Sequence, residues 1–309
     1  MPNSWETPPA LDPGLAADAK AMAAIFSANV NSIPLAMHQK ALTAVGVKTP
    51  KISIPTLIDM INKILVPTVQ EHEGGWGDHP NDSGGPTMRG VILTTFVSNF
   101  DTIFTNTSVQ AVNTAANNFN RKYPNWKTDK AQGKQVLYLV NTDHKVAGLF
   151  YHLFCASAYS RYPIAVMTED PYLGFLLAEG VWGSGGGLFE NARLNQMAKK
   201  FGWNGNVSSW ASTIQALGDR TAEMAMEVIR YRYDHLIRIS RPGNKNHVFR
   251  KGWLNRLVNF PNSNLMHVVI LTENFLLNKK NLFKFNQQEL AHMKRKADIY
   301  MTTKIELPG

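Results

Sequence analysis

The sequence predicts a mainly α fold of the α+β class, with two lobes and a small β-hairpin that carries a cluster of acids. Three observations support this prediction. Apolar residues recur at the three- and four-residue spacings of amphipathic helices in most of the chain. One segment, Glu71 to Val91, combines four acids with two Gly-Gly pairs and two prolines, which favours a hairpin over a core element. A length of 309 residues also exceeds what one compact core usually holds.

The segment before the hairpin is predicted to form an amphipathic lead helix. Within residues 55–70 the apolar side chains at helical spacing are Leu57, Ile58, Ile61, Ile64 and Leu65. Pro67 should kink the last turn, because proline lacks an amide donor and its ring clashes with the preceding turn. Gly74 and Gly75 should end the helix, since glycine accepts the left-handed conformation of a helix C-cap. Glu73 is therefore expected at a helix C-terminus.

Two carboxyl groups in this segment are predicted to differ in protonation. The negative end of the helix dipole, together with desolvation by Trp76, should raise the pKa of Glu73, as a general acid requires. Asp82 follows nine positions later (82 − 73), before Gly84 and Gly85, where backbone donors should keep it ionised. One protonated and one charged carboxyl group is the arrangement that glycoside hydrolysis uses.

The order of residues in the hairpin resembles family 108 glycoside hydrolases, which are bacteriophage and bacterial N-acetylmuramidases related to phage-type lysozymes. The matching strings are Glu73-Gly74-Gly75-Trp76, Asn81-Asp82-Ser83-Gly84-Gly85-Pro86-Thr87 and Gly90-Val91. The resemblance implies a lysozyme-like fold, glycoside hydrolase activity and a catalytic triad of Glu73, Asp82 and Thr87. Trp76 and Arg89 are expected to bind substrate, although Met88-Arg89 replace the Asn-Tyr usual in the family.

Two later segments also resemble the family. In the first, Glu179 stands at an aspartate position and Gly183 at an asparagine position, while Ser184 is kept. Glu179 and Ser184 are expected to bind substrate, and the alternative for Glu179 is a buried cap or salt-bridge partner. The second segment, Phe249 to Arg256, resembles the F-x-x-G-W-x-x-R signature of a C-terminal region described as a peptidoglycan-binding domain. Trp253 either stacks on a sugar or, the favoured alternative, packs against the core.

The remaining elements are predicted as helices and loops. The helices cover residues 15–45 with a break near 31–34, 94–116, 134–162, 211–239 and 287–300, with a polar loop over 121–133. The expected domains are an N-terminal helical extension (1–54), a catalytic lobe (55–170), a helical lobe resembling the peptidoglycan-binding domain (171–260) and a basic extension (261–309). The N-terminal extension either packs as an extra helical layer or docks the enzyme onto a larger assembly.

Positive charge is concentrated in the C-terminal part of the chain. Between residues 230 and 300, fourteen Lys or Arg stand against four Asp or Glu, a balance of +10 (14 − 4), whereas the whole chain carries +9. Such a surface would attract an anionic polymer, or it is simply a solvated face. The sequence contains no metal-site spacing, no nucleic-acid-binding signature and no apolar run of about eighteen residues. We therefore expect no metal, no cofactor, no nucleic acid and no membrane.

The resemblance implies general acid/base cleavage of the bond between N-acetylmuramic acid and N-acetylglucosamine in peptidoglycan. An acid at a helix end and another in the adjoining hairpin, with Thr87 available for water, favour inversion. Glu6 and Asp12 precede any apolar stretch, which argues against a signal peptide. The resemblance implies a phage origin, and the extensions on both sides of residues 55–258 favour a place on the virion, with tail or baseplate proteins as partners, from which the enzyme would act on the periplasmic wall of the host. One alternative is an endolysin that stays in the host cytoplasm until a holin releases it. Another is a virion structural protein whose muramidase fold is inactive.

Overall fold

A computed structural model describes residues 6–80, 82, 84–157, 162–184, 199, 202, 215–258 and 286–302. The chain divides into two compact units. Unit 1 comprises Met1–Met37 and Val66–Leu153, and unit 2 comprises His38–Leu65 and Phe154–Gly309. The domain boundaries predicted at residues 54, 170 and 260 stay predictions.

Most described residues are helical, and the prediction of a mainly α fold with a small acid-bearing hairpin is confirmed. The helices are, in chain order, α1 (Pro13–Ala28), α2 (Ile33–Ala44), α3 (Ile54–Met60), α4 (Val66–Glu73), α5 (Leu93–Phe100), α6 (Gln110–Lys122), α7 (Lys130–Asn141), α8 (His144–Ala156), α9 (Pro163–Met167), α10 (Pro171–Ser184), α11 (Thr221–Ile239), α12 (Arg250–Val258) and α13 (Gln287–Thr302). An antiparallel sheet of order β1-β2-β3 contains β1 (Trp76–Gly77), β2 (Thr87–Met88) and β3 (Val91–Ile92).

The lead helix forms as predicted, but it contains a wider turn. Residues Ile61–Leu65 are π-helical and join α3 to α4. Pro67 follows two residues after this turn, and in a continuous α-helix its ring would meet the carbonyl of Lys63. The distortion predicted for Pro67 therefore takes the form of a π-helical turn on its N-terminal side.

The core of unit 1 is aromatic. Six rings with at most 1% exposure form it: Phe26, Phe96, Phe100, Phe104, Trp126 and Phe150. The rings of Phe26 and Phe104 stack at 4.0 Å between centroids with a 5° interplanar angle. Because Phe26 belongs to α1, this helix contributes directly to the core of the unit that contains the hairpin.

Polar contacts also fix α1 in unit 1. Asp12 caps α1 by accepting from the Leu15 amide at 2.8 Å, and its own amide donates to Gln135 Oε1 on α7 at 2.7 Å. Asp18 pairs with Lys122 on α6 at 2.5 Å, which lowers the pKa of the Asp18 carboxyl. The N-terminal segment is predicted either to pack as an extra helical layer or to dock onto a larger assembly. Helix α1 packs as a helical layer of unit 1.

Unit 2 contains a buried polar cluster centred on Asp170. This carboxylate caps α10 by accepting from the Leu173 amide at 3.0 Å. It also accepts from the Tyr300 hydroxyl at 2.9 Å and from Thr221, and Lys296 Nζ lies 3.6 Å away. Burial, together with the nearby Asp170 charge, raises the pKa of Tyr300. Two members of this cluster belong to α13, which is therefore an integral helix of unit 2.

Part of the C-terminal positive charge is neutralised by acids earlier in the chain. Lys296 and Arg232 are buried, at 3% and 4% exposure, and pair with Asp170 and Glu179. Exposed Arg295 pairs with Asp219 at 2.8 Å. The predicted basic helix at 287–300 is confirmed, but its charge does not all face an external partner.

Several predicted element boundaries are wrong. The polar loop predicted over 121–133 is shorter, because Asp129 caps α7 by accepting from the amides of Ala131 and Gln132. The helix predicted over 134–162 is interrupted before α8, where Asp143 accepts from the Lys145 amide at 2.8 Å. The helix predicted over 94–116 is also interrupted: α5 continues as a π-helix over Asp101–Thr105, and residues 106–109 separate this π-helix from α6. Residues 211–214 of the helix predicted over 211–239 lie outside the described residues, and α11 begins at Thr221.

Candidate active site

The lead helix ends at Glu73, as the sequence predicts. Gly74 has φ +70°, the left-handed conformation that stops a helix, and β1 begins two residues later at Trp76. The backbone of Glu73 is thus at a helix C-terminus directly beside the sheet. Its side chain lies outside the described atoms, so the raised pKa of Glu73 stays a prediction.

The sheet brings the remaining residues of the hairpin together. Trp76 pairs with Met88, and Gly77 pairs with Thr87. Residues 78–86 connect these two strands and contain Asp82. The helix end and the β1–β2 connection therefore place the three predicted catalytic positions, Glu73, Asp82 and Thr87, on one short supersecondary unit.

Asp82 is exposed and held by local hydrogen bonds. Its Oδ1 accepts from the Gly84 amide at 2.8 Å, so one of the predicted backbone donors reaches the carboxylate. Its main chain is fixed on both sides: the Asp82 amide donates to His79 O at 3.0 Å, and the Gly85 amide donates to Asp82 O at 3.1 Å. No described residue donates to Oδ2, which can face a water molecule.

Thr87 lies on β2 with its hydroxyl turned toward the same connection. Its Oγ1 donates to Gly85 O at 3.1 Å. A hydroxyl group has one proton and two lone pairs, so a proton committed to Gly85 leaves Oγ1 as an acceptor. Thr87 can therefore orient a water molecule by accepting one of its protons.

Helix α7 supports the hairpin along one face. Lys134 Nζ lies 2.5 Å from Asp78 Oδ2. Four residues later, the ring of Tyr138 meets Trp76 edge to face, with centroids 5.7 Å apart at 90°. Residues four apart share a helix face. Sequence reasoning missed Lys134 and Tyr138, for which the four-residue spacing was the only available signal.

Arg89 occupies a strained turn between β2 and β3. Arg89 and Gly90 have φ values of +50° and +77°, the pattern of a type I′ hairpin turn. The turn is fixed by long-range contacts: the Arg89 amide donates to Gly75 O at 3.3 Å, and the Tyr151 hydroxyl donates to Arg89 O at 3.2 Å. The Nε of the Arg89 side chain donates to Thr142 O at 3.1 Å. Substrate binding by Arg89 and Trp76 stays a prediction.

The other three predicted substrate-binding residues belong to unit 2. Glu179 is buried at 7% exposure and forms an ion pair with Arg232. The structure therefore gives Glu179 the alternative role of salt-bridge partner, because a buried, paired carboxylate offers little surface to a sugar. Ser184 ends α10, and its side chain lies outside the described atoms. The ring of Trp253 stacks on Phe249 at 5.7 Å with a 24° angle.

Gly85 connects the two polar residues of the hairpin, since it donates to Asp82 and accepts from Thr87. Its φ of +75° favours glycine, and an L-residue in this conformation costs about 1–2 kcal/mol. We expect Gly85→Ala to lower the free energy of unfolding by this amount and to slow hydrolysis. Thermal denaturation checks the first effect, with Gly77→Ala as the control, because Gly77 has an ordinary φ and open space where a Cβ would lie. Equal melting temperatures for the two variants would contradict the requirement for glycine.

Neither a metal site nor a membrane-spanning helix occurs in the described part of the chain. No group of three or more His, Cys, Asp or Glu side chains there is arranged to hold a metal ion. None of the helices in those ranges combines the length and apolar character that crossing a bilayer requires.

Comparison with known families locates a match on this part of the molecule. Residues 66–145 match the family model described as Glycosyl hydrolase 108, from the first residue of α4 into α8. The match contains Glu73, Asp82 and Thr87 but not Phe249–Arg256, so the predicted C-terminal binding region stays a prediction. No curated protein and no solved structure matches the chain significantly. The segment that carries the hairpin is therefore similar to glycoside hydrolase family 108, and this similarity supports a glycoside hydrolase that acts on peptidoglycan.

Proposed function

We propose that the enzyme cleaves the bond between N-acetylmuramic acid and N-acetylglucosamine by general acid/base catalysis. Glu73 donates a proton to the glycosidic oxygen. Asp82 orients or deprotonates the attacking water, or stabilises the oxocarbenium-like transition state. Thr87 places the water. The observation that carries this proposal is the arrangement of the three positions on one helix end and one adjoining hairpin.

The hydrogen bonding of the hairpin supports a water-mediated reaction. Thr87 gives its own proton to Gly85, so its oxygen is left to accept from water. Asp82 is exposed and has one oxygen without a described donor. Both features suit a carboxylate and a hydroxyl group that act on a water molecule rather than directly on the sugar.

We expect the reaction to proceed with inversion at the anomeric carbon. An inverting enzyme separates its carboxyl groups by about 6.5–9.5 Å, which leaves room for the water that a hydroxyl such as that of Thr87 would position. Proton NMR of the first product formed from purified peptidoglycan should therefore show the α anomer. A β anomer formed first would mean that Asp82 or another group acts as a nucleophile.

The activity itself is tested by adding the enzyme to a suspension of purified peptidoglycan and measuring the fall in turbidity. Clearing with release of new reducing ends from N-acetylmuramic acid supports the muramidase proposal and identifies the bond. New reducing ends on N-acetylglucosamine would support a different bond specificity. No clearing would favour the alternative, a virion structural protein whose muramidase fold is inactive.

We also propose that the enzyme is carried on a phage virion and reaches the wall from outside. The resemblance to bacteriophage enzymes supports this location. Mass spectrometry of purified particles should then detect the protein together with tail or baseplate proteins. Particles that contain no copies would favour a holin-dependent endolysin.

A further inference from the structure

The Arg89 turn has a conformation that its sequence does not favour. Type I′ turns prefer Asn, Asp or Gly at positions with positive φ, and a long side chain is uncommon there. Yet Arg89 is fixed at +50° by backbone contacts to Gly75 and Tyr151. Strain of this kind often accompanies a functional demand on the side chain. The contacts of the guanidinium group indicate what that demand is.

The guanidinium group is oriented but not neutralised. Its Nε donates to the carbonyl of Thr142, just beyond the C-terminus of α7, which fixes the plane of the group. Among the described residues, no carboxylate lies within ion-pair distance of Arg89. The neighbouring cation, Lys134, differs in this respect because it is paired with Asp78. None of the described residues accepts a hydrogen bond from the two terminal amino groups of Arg89, so both can donate to a ligand.

The turn is close in the fold to the predicted proton donor. The Arg89 amide contacts Gly75, which is two residues after Glu73 (75 − 73). The preceding residue, Met88, pairs with Trp76. A substrate held at the helix end would therefore pass near the Arg89 turn.

We propose that Arg89 binds a carboxylate of the substrate and gives the enzyme a preference for anionic over neutral glycans. This inference rests on the proposed function. Peptidoglycan carries carboxylates on its stem peptides and on unsubstituted lactyl groups, whereas a chitin-like glycan carries none. An oriented guanidinium fork is suited to a carboxylate, because it donates two parallel hydrogen bonds. Carboxylate binding would account for an arginine, rather than Asn or Gly, at this position of positive φ.

The test compares one peptidoglycan preparation before and after carbodiimide-mediated amidation of its carboxyl groups. For the unmodified enzyme, amidation should raise KM about tenfold, as expected for one charge-assisted hydrogen-bonded contact. Arg89→Asn, which suits the turn, should show the same rise on native peptidoglycan and no further rise on the amidated form. Arg121→Asn removes the same charge from an exposed site on α6 and should behave like the unmodified enzyme.

Two outcomes would overturn the inference: unchanged KM for Arg89→Asn on native peptidoglycan, or an undiminished response of that variant to amidation. The KM of Arg89→Lys on native peptidoglycan should lie between those of the unmodified enzyme and Arg89→Asn, because lysine keeps the charge but lacks the guanidinium fork. A binding measurement separates this inference from the proposed function. Glu73→Gln protein should sediment with native sacculi more than with amidated sacculi, and this difference should vanish when Arg89→Asn is added. That result can be obtained even if the enzyme fails to cleave the proposed bond.

Discussion

Replacement of Glu73 by glutamine should slow peptidoglycan hydrolysis by about 10² to 10⁴-fold and leave the melting temperature nearly unchanged. Glutamine keeps the shape of the side chain but has no proton to transfer to the glycosidic oxygen. The initial rate of reducing-end release measures the loss, and thermal denaturation measures folding.

Glu71→Gln is a matched control, since it makes the same substitution on the same helix two residues earlier. Its rate should stay within a few-fold of the unmodified enzyme. A Glu73→Gln variant with more than about a tenth of the original rate would be incompatible with general acid catalysis by Glu73.

The second large effect concerns stability. Phe26→Ala should lower the free energy of unfolding of unit 1 by about 3–5 kcal/mol, because it leaves a cavity within the aromatic core. Phe26 has 0% exposure and stacks on Phe104, whereas the preceding residue on the same helix, Ile25, is 38% exposed. Ile25→Ala should therefore change stability by no more than about 0.5 kcal/mol.

Chemical denaturation of both variants, monitored by tryptophan fluorescence, measures this difference. A Phe26→Ala protein that unfolds at the same denaturant concentration as Ile25→Ala would mean that α1 is dispensable to unit 1. If the difference is found, a truncation that removes α1 also destabilises the unit that carries Glu73. A truncated protein that fails to attach to phage particles could then simply be unfolded, so the truncation would not test attachment separately from stability.

Local signals explain the parts of the site that the sequence predicted. Gly74 directly follows Glu73, so the helix end could be placed to the residue from the left-handed conformation that glycine favours. The acids and glycines of residues 78–86 likewise indicated a hairpin connection. In both cases the determining residues lie within a few positions of the feature.

Long-range contacts explain what the sequence did not predict. Lys134 is 56 residues after Asp78, and Tyr138 is 62 residues after Trp76 (138 − 76), so no local pattern joins either pair. Glu179 was expected to contact substrate because a family position suggested it. Its ion pair with Arg232, 53 residues later, depends on the packing of α10 against α11. The break between α7 and α8 was missed for a different reason, because the apolar pattern continues across the cap at Asp143.

The π-helical turn at Ile61–Leu65 affects how the lead helix can vary. Each residue of an α-helix advances the chain by about 100° around the axis, from 3.6 residues per turn. A π-helical turn accommodates one residue more than an α-helical turn. Loss of a single residue there would convert the wide turn into an α-helical turn that completes the same rotation with one residue fewer. The lead helix therefore contains one residue more between its apolar stripe and Glu73 than an uninterrupted α-helix would need for the same rotation.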